Sequence, residues 1–269
     1  MNRSLAWYLF SMELRKALSY RVDFWVKFLV SLGIEVAIAW FLWRAVFEFS
    51  GKTEIGGYTF VGMIFYSIIS RQVSGILSQS DAGNISVEIY QGTLNRYLIY
   101  PVSFYLYKLL EYVAQGGIVL LQTTIVYLLL VVWLGSPPGA NLGLGAFVAG
   151  VAACCVAFFL YFAIIANLEM IAFWFDNVWS LLVMVRFITR FLGGAMIPLT
   201  FYPERFQEVL IYLPFPYVAS FPIRSFMGQV NAQEWIFSAL MAIGWGTVFM
   251  AVSRFVWRRG LFQYSGVGI

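Results

Sequence analysis

The chain has 269 residues, 61% of them hydrophobic and only 11% charged, with a formal net charge of +4. A soluble domain is about 45–50% apolar and about 25% charged, so this chain cannot cover itself with polar surface, and a water-soluble globule is excluded. Histidine is absent, which removes histidine metal sites, histidine general bases and histidine-containing triads.

Residues 1–22 are apolar enough to touch lipid and too charged to span it. Trp7, Phe10 and Leu14 share one helical face, Leu5, Leu9 and Met12 share another, and Ser4, Ser11 and Arg15 form a polar seam between them. This pattern predicts a helix lying along the membrane surface. A spanning helix needs about 20 apolar residues, and six segments meet that length. Spans one and two fall in 24–80 (Phe24 to Phe47, Tyr58 to Leu77). Spans three to five fall in 103–199 (Leu109 to Leu134, Leu142 to Ala166, Val178 to Leu199). Span six, Trp235 to Trp257, opens the segment 233–269, which closes as a tail. The runs are continuous rather than alternating, so they are helices and not barrel strands. The expected fold is an all-α integral membrane protein, one transmembrane domain of six helices over 1–269. Cys154 and Cys155 sit inside an apolar run and read as small core residues.

The basic residues orient these spans. Arg3, Arg15, Lys16, Arg21 and Lys27 crowd one end, and Arg254, Arg258 and Arg259 close the other. The connection at 48–57 has one Lys against two Glu, and 135–141 has no charge. The positive-inside rule then makes both termini cytoplasmic. Glu13, Arg15 and Lys16 interrupt any apolar core that a cleavable signal would need.

Two connections are more than turns. In 81–101, Asn84 or Ser86 caps a short helix that Gly92 ends, and a second turn runs from Thr93 to Ile99 before Pro101. Ile85 and Ile89 share a face, and Leu94, Tyr97 and Leu98 follow. A half-apolar helix pair beside the membrane suits docking onto another protein; the alternative is a loop packed on the bilayer. Between spans five and six, 200–228 holds a helix start at Pro203-Glu204. Phe206, Val209, Leu210 and Leu213 give that helix an apolar face, Pro214 and Pro216 break it, and a second apolar piece runs from Tyr217 to Met227. Each piece is too short to cross, which predicts two re-entrant half-helices forming an external cap.

Charges within spans are costly and mark pairing or a substrate path. Glu35 is about halfway down span one, Arg71 lies in the inner half of span two, and Arg186 and Arg190 share a face of span five. At about 1.5 Å per residue, Glu35 is about 16 Å deep and Arg71 about 9 Å, within combined side-chain reach. Arg186 or Arg190 is the competing partner for Glu35. Lys108 and Glu111, at the mouth of span three, are expected to snorkel to the interface. Gly51-Lys52-Thr53 imitates the end of a phosphate loop, but position 46 is Val where that loop needs Gly. The chain therefore carries no nucleotide site of its own.

The assembled pattern resembles the six-helix permeases of ABC exporters, the ABC-2-type family, in a poorly characterised bacterial branch. The resemblance is carried by Ala17 to Phe24 entering span one, Phe41-Leu-Trp-Arg-Ala45 leaving it, and Gly57-Tyr-Thr before span two. Gln91-Gly-Thr-Leu, Tyr100-Pro-Val-Ser103, and the stretch from Gly193-Gly-Ala-Met-Ile-Pro-Leu199 through Phe201-Tyr-Pro203 to Leu213-Pro-Phe-Pro216 complete it. It implies a non-enzymatic permease subunit of an ATP-driven exporter in a bacterial cytoplasmic (inner) membrane. ATP and Mg would be bound by a separate nucleotide-binding ATPase subunit, with no cofactor in this chain. It also implies a coupling helix over about 84–98, which makes Ile85, Ile89, Leu94, Tyr97 and Leu98 the coupling residues. A second permease chain, identical or related, would pair through spans one and five, with membrane lipid around both and no nucleic-acid partner. Aromatic content and scarce charge point to a hydrophobic or amphipathic substrate. Two rivals are weaker. An ion-coupled secondary transporter usually has inverted repeats, and none is visible. An intramembrane lipid-modifying enzyme needs clustered acids or histidine.

Overall fold

Long apolar runs, punctuated by glycine and proline, set the helix ends. The computed structural model describes residues 7, 8, 10–12, 15, 21–78, 84–135 and 137–264. Most of the surface helix expected at 1–22 lies outside these residues, as do 79–83 and the end of the tail. The described residues of 7–15 are helical, with the Trp7 and Phe10 rings 5.8 Å apart.

In chain order the elements are α1 (Arg21–Ser50), the hairpin β1 (Glu54–Ile55) and β2 (Tyr58–Thr59), α2 (Phe60–Leu77), α3 (Asn84–Tyr90) and α4 (Asn95–Leu98). Then come α5 (Phe104–Leu134), α6 (Leu144–Glu169), a 3-10 turn (Met170–Phe173) and α7 (Trp179–Leu192). A second 3-10 turn (Leu199–Phe201) precedes α8 (Glu204–Leu210), α9 (Phe215–Val218), α10 (Ser220–Phe226) and α11 (Ala232–Gln263). The chain is an all-α membrane protein apart from the hairpin. There Gly56 and Gly57 have φ of 59° and 81°, the backbone that a two-residue hairpin turn demands.

Among the described residues, α1, α2, α5, α6 and α11 are long and apolar enough to cross a membrane. α6 is the centre of the bundle and packs on α10 and α11, while α2 joins it to α1 and α5. Close approach depends on small residues facing rings. A Cβ on Gly246 would overlap Phe159, and one on Gly150 would overlap Phe226. The Asn167 amide ties α6 to α11 by donating to the Phe249 carbonyl at 2.8 Å and to Ser253 Oγ at 2.7 Å. α1 is the peripheral member: 6% of its most apolar window is buried, against 61% for α6.

Span five departs from the continuous helix expected over Val178 to Leu199. Only α7, of 14 residues, is regular, a length of about 21 Å against a hydrocarbon core of about 30 Å. The helix stops at Gly193, where a Cβ would strike the carbonyl oxygens of Thr189 and Phe215. The following irregular backbone is taken up by α2: Tyr66 Oη donates to the Gly194 carbonyl and Ser70 Oγ to that of Ala195. Such backbone is tolerated at membrane depth because protein satisfies it. The cap at 200–228 forms as short helices, but only Leu210 of its expected apolar face is buried, while Phe206 and Val209 point outward. Cys154 is buried and Cys155 exposed.

Contacts at the two ends set the helix directions: α1, α2, α5 and α6 alternate, while α6 and α11 run parallel, Trp235 near the start of α11 reaching Ala149 near the start of α6 and Asn167 near the end of α6 reaching Ser253 late in α11. At one end, Asn141 N–H donates to the Met227 carbonyl at 3.0 Å and Thr200 Oγ1 to that of Gly56 at 2.8 Å. At the other, the Phe104 and Trp257 rings stack at 5.0 Å, beside α3 and α4.

Candidate functional site

α3 and α4 form a helix pair at the end of the bundle reached by α2, α5, α6 and α11. Gly92, at φ 70°, turns the chain out of α3, and Leu94 N–H closes the turn onto the Glu88 carbonyl at 3.1 Å. The side chain of Asn84, one of the two expected caps, lies outside the described residues, and a cap on the start of α3 comes from another helix. Glu169, the last residue of α6, reaches across: its Oε2 accepts from Ile85 N–H at 2.8 Å and Ser86 N–H at 3.4 Å. A carboxylate on orphan amides at a helix start is the favoured sign of charge there.

A buried ionic cluster pins the other side. Lys108 Nζ lies 2.7 Å from Glu88 Oε1 and 2.9 Å from Glu111 Oε2, with 1% of its side chain exposed. It does not snorkel as expected, because α3 covers it and supplies a carboxylate. Tyr97 Oη donates to the same Glu88 oxygen at 2.7 Å and accepts from Arg96 Nη2 at 2.9 Å. Burial first, and Glu88 second, lift the Tyr97 phenol well above its ordinary range, so it stays a proton donor.

These anchors decide which coupling residues can meet a partner. Ile85, Ile89, Leu94 and Tyr97 are buried in this chain's own core, and Leu98 alone of the five is exposed. The four buried residues hold the helix pair in place, a correction to their assignment as a docking face. The outward face is Val87, Tyr90, Leu98, Ile99 and Tyr100. Ile85 and Ile89 are both buried; helical periodicity places them on one face but does not say which face looks inward.

The intramembrane charges divide between two places. Arg71 Nε lies 4.0 Å from Glu35 Oε2, and Arg71 Nη2 donates to Ser31 Oγ at 2.8 Å. Both residues line a cavity of about 300 Å3 together with Arg190, Ser67, Ser70 and Ser74. Arg186, one turn before Arg190, opens instead on a cavity of about 510 Å3 with Ser86, Tyr90 and Asp176, where its charge also acts on the Glu169 carboxylate. Arg190 thus joins Glu35 and Arg71, and Arg186 does not.

Sequence reading missed Glu88 and Glu169. Glu88 has a faint signal, an acid three residues past Ile85 on an otherwise apolar helix. Glu169 ends a long apolar span with no nearby base, which marks a carboxylate needing distant donors. Over residues 34–268 the chain matches a family model described as ABC-2 family transporter protein. No curated protein matches it.

Proposed function

The chain belongs to the ABC-2 transporter family, and on that premise we propose an ATP-driven exporter in which it is the permease, moving a hydrophobic or amphipathic substrate outward. It is a multi-pass membrane protein and a permease component of an ABC transporter. The ATP is hydrolysed by a separate nucleotide-binding subunit docked on α3 and α4, on the cytoplasmic side of a bacterial inner membrane with both termini on that side. A second permease chain, identical or related, completes the path; the apolar outer faces of α1 and α7, Ile34, Phe41, Phe187 and Phe191 among them, are exposed to meet it.

One observation carries this reading. The helix pair is apolar on both sides, inward through Ile85, Ile89 and Leu94 and outward through Val87, Tyr90, Leu98 and Ile99. The inward side is bolted to α5 and α6 by Lys108 and Glu169. A surface that is apolar, outside the spans and rigidly joined to two spanning helices suits a transmitter of motion from a partner. The test is reconstitution with its ATPase subunit in vesicles. ATP hydrolysis that depends on the permease, and that Leu98→Asp with Val87→Asp abolishes while membrane yield is kept, is the expected result. Hydrolysis coupled equally well to the double variant would refute the docking face.

A further inference from the structure

The cavity between α1, α2 and the end of α7 holds three charges: Glu35, Arg71 and Arg190. Arg71 is engaged with Glu35 and Ser31. The Arg190 carbonyl accepts from Ala195 N–H at 2.9 Å, but its guanidinium has no hydrogen-bond or ion-pair partner among the described residues, so the group retains one unmatched positive charge. Two of the three wall hydroxyls are occupied as donors: Ser67 Oγ donates to the Met63 carbonyl and Ser70 Oγ to that of Ala195. The free donors are therefore the Ser74 hydroxyl and guanidinium N–H, of which each Arg has five in a planar fork suited to phosphate or carboxylate. An adjoining cavity of about 300 Å3, which Arg71 also lines, carries Lys27, Gln72 and Gln122.

Around the charges the surface is apolar. Ile38, Leu42 and Met196 line the same cavity and are exposed. A space of about 300 Å3 is at the small end for a ligand pocket and takes a headgroup, not a whole amphiphile. We propose that this groove binds the anionic headgroup of an amphiphile between Arg71 and Arg190, with its apolar tail lying along α1. The proposal rests on the exporter reading and narrows its substrate class. It also explains why an unmatched charge is kept among spanning helices, where an unpaired guanidinium is expensive: the missing anion arrives with the substrate. Glu35 then opposes the ligand by competing for Arg71.

The test uses the full chain in a neutral maltoside detergent, titrated with dodecyl phosphate, dodecyltrimethylammonium and inorganic phosphate. Dodecyl phosphate should bind at least about tenfold more tightly than either of the others, and Arg190→Gln should weaken it about tenfold or more, the scale of one lost charge-assisted hydrogen bond. Arg190→Lys should retain most of the affinity, and Glu35→Gln should raise it. The Glu35→Gln arm keeps the test decisive should Arg190→Gln prove unstable. Equal affinity for the cationic probe, or no response to Arg190→Gln and Glu35→Gln, would overturn the site. Inorganic phosphate binding as tightly as dodecyl phosphate would overturn its amphiphilic character. Conversion of a dimer to monomer by Arg190→Gln, with no change in affinity, would make Arg190 a contact between copies instead. Binding is read without an ATPase subunit, so its failure leaves the exporter reading standing, and loss of ATPase coupling leaves the binding result standing.

Discussion

Replacing Lys108 by Met removes the cation shared by Glu88 and Glu111 while keeping much of the side-chain volume. At the observed 2.7 and 2.9 Å, each Coulomb attraction is about 6 kcal/mol at an effective dielectric of about 20. Desolvating the three ions offsets several kcal/mol each, so intact clusters of this kind contribute little net stability, but breaking one strands a buried charge at about 3–5 kcal/mol. Here Glu111 loses its cation, while Glu88 keeps Arg96 Nη2 at 3.4 Å and Tyr97 Oη at 2.7 Å. Unfolding of the full chain in mixed micelles should show a loss in that range, and amide exchange in α3 and α4 should quicken. Adding Glu88→Gln should recover part of the loss, because Gln still accepts from Tyr97 without carrying charge. The pairwise coupling in the double-mutant cycle should be about 1–3 kcal/mol. A Lys108→Met chain as stable as the parent, or an additive cycle, would refute the buried cluster as the clamp on the helix pair.

Glu35 and Arg71 should also couple: Glu35→Gln and Arg71→Gln should each lower stability in detergent, and the double change should lose less than the sum, whereas simple additivity would separate the two residues. Tyr97→Phe should lower stability by an amount that is constant from neutral pH upward and fades only above about pH 10, the ordinary phenol range. The sign follows from a folded-state value held above the unfolded one by burial and Glu88: the stabilisation is complete below the unfolded value and is lost as pH climbs toward the folded one. A deficit that grows with pH would contradict this. Cysteines placed at the exposed positions Ser50 and Gln91, with Cys154 and Cys155 removed, should label from opposite sides of sealed vesicles; labelling of both from one side would overturn the orientation.

Much of the architecture was legible because lipid imposes it. Apolar runs of membrane-crossing length located α1, α2, α5, α6 and α11, and Gly92 and Pro203 marked real helix boundaries. The end of span five was legible in part: Gly193-Gly194 loosen it and Pro198 stops it, and the helix ends at this glycine pair, with Gly194 at φ 83°. What the sequence did not show is that the regular helix is only 14 residues long. The hairpin was overlooked although Gly56-Gly57 between Ile55 and Tyr58 carried its turn chemistry. At the helix pair, spacing identified Ile85 and Ile89 as one face, yet only tertiary packing shows that this face is the bundle's own. Glu169 capping α3 joins residues 84 apart, a relation that no local pattern encodes. The nearness of Glu35 to Arg71 came from depth along two helices, which works when both ends are anchored by the membrane.

The most direct test of the account is a photo-crosslinking residue placed at Leu98, with a second chain carrying it at Ile89, in cells that make the complete transporter. The account predicts a crosslink from position 98 to a subunit bearing a phosphate-binding loop, strengthened or weakened by trapping ATP, and none from position 89. A crosslink to that subunit from 89 and not from 98, or no ATP-binding subunit at either position while transport persists, would contradict it.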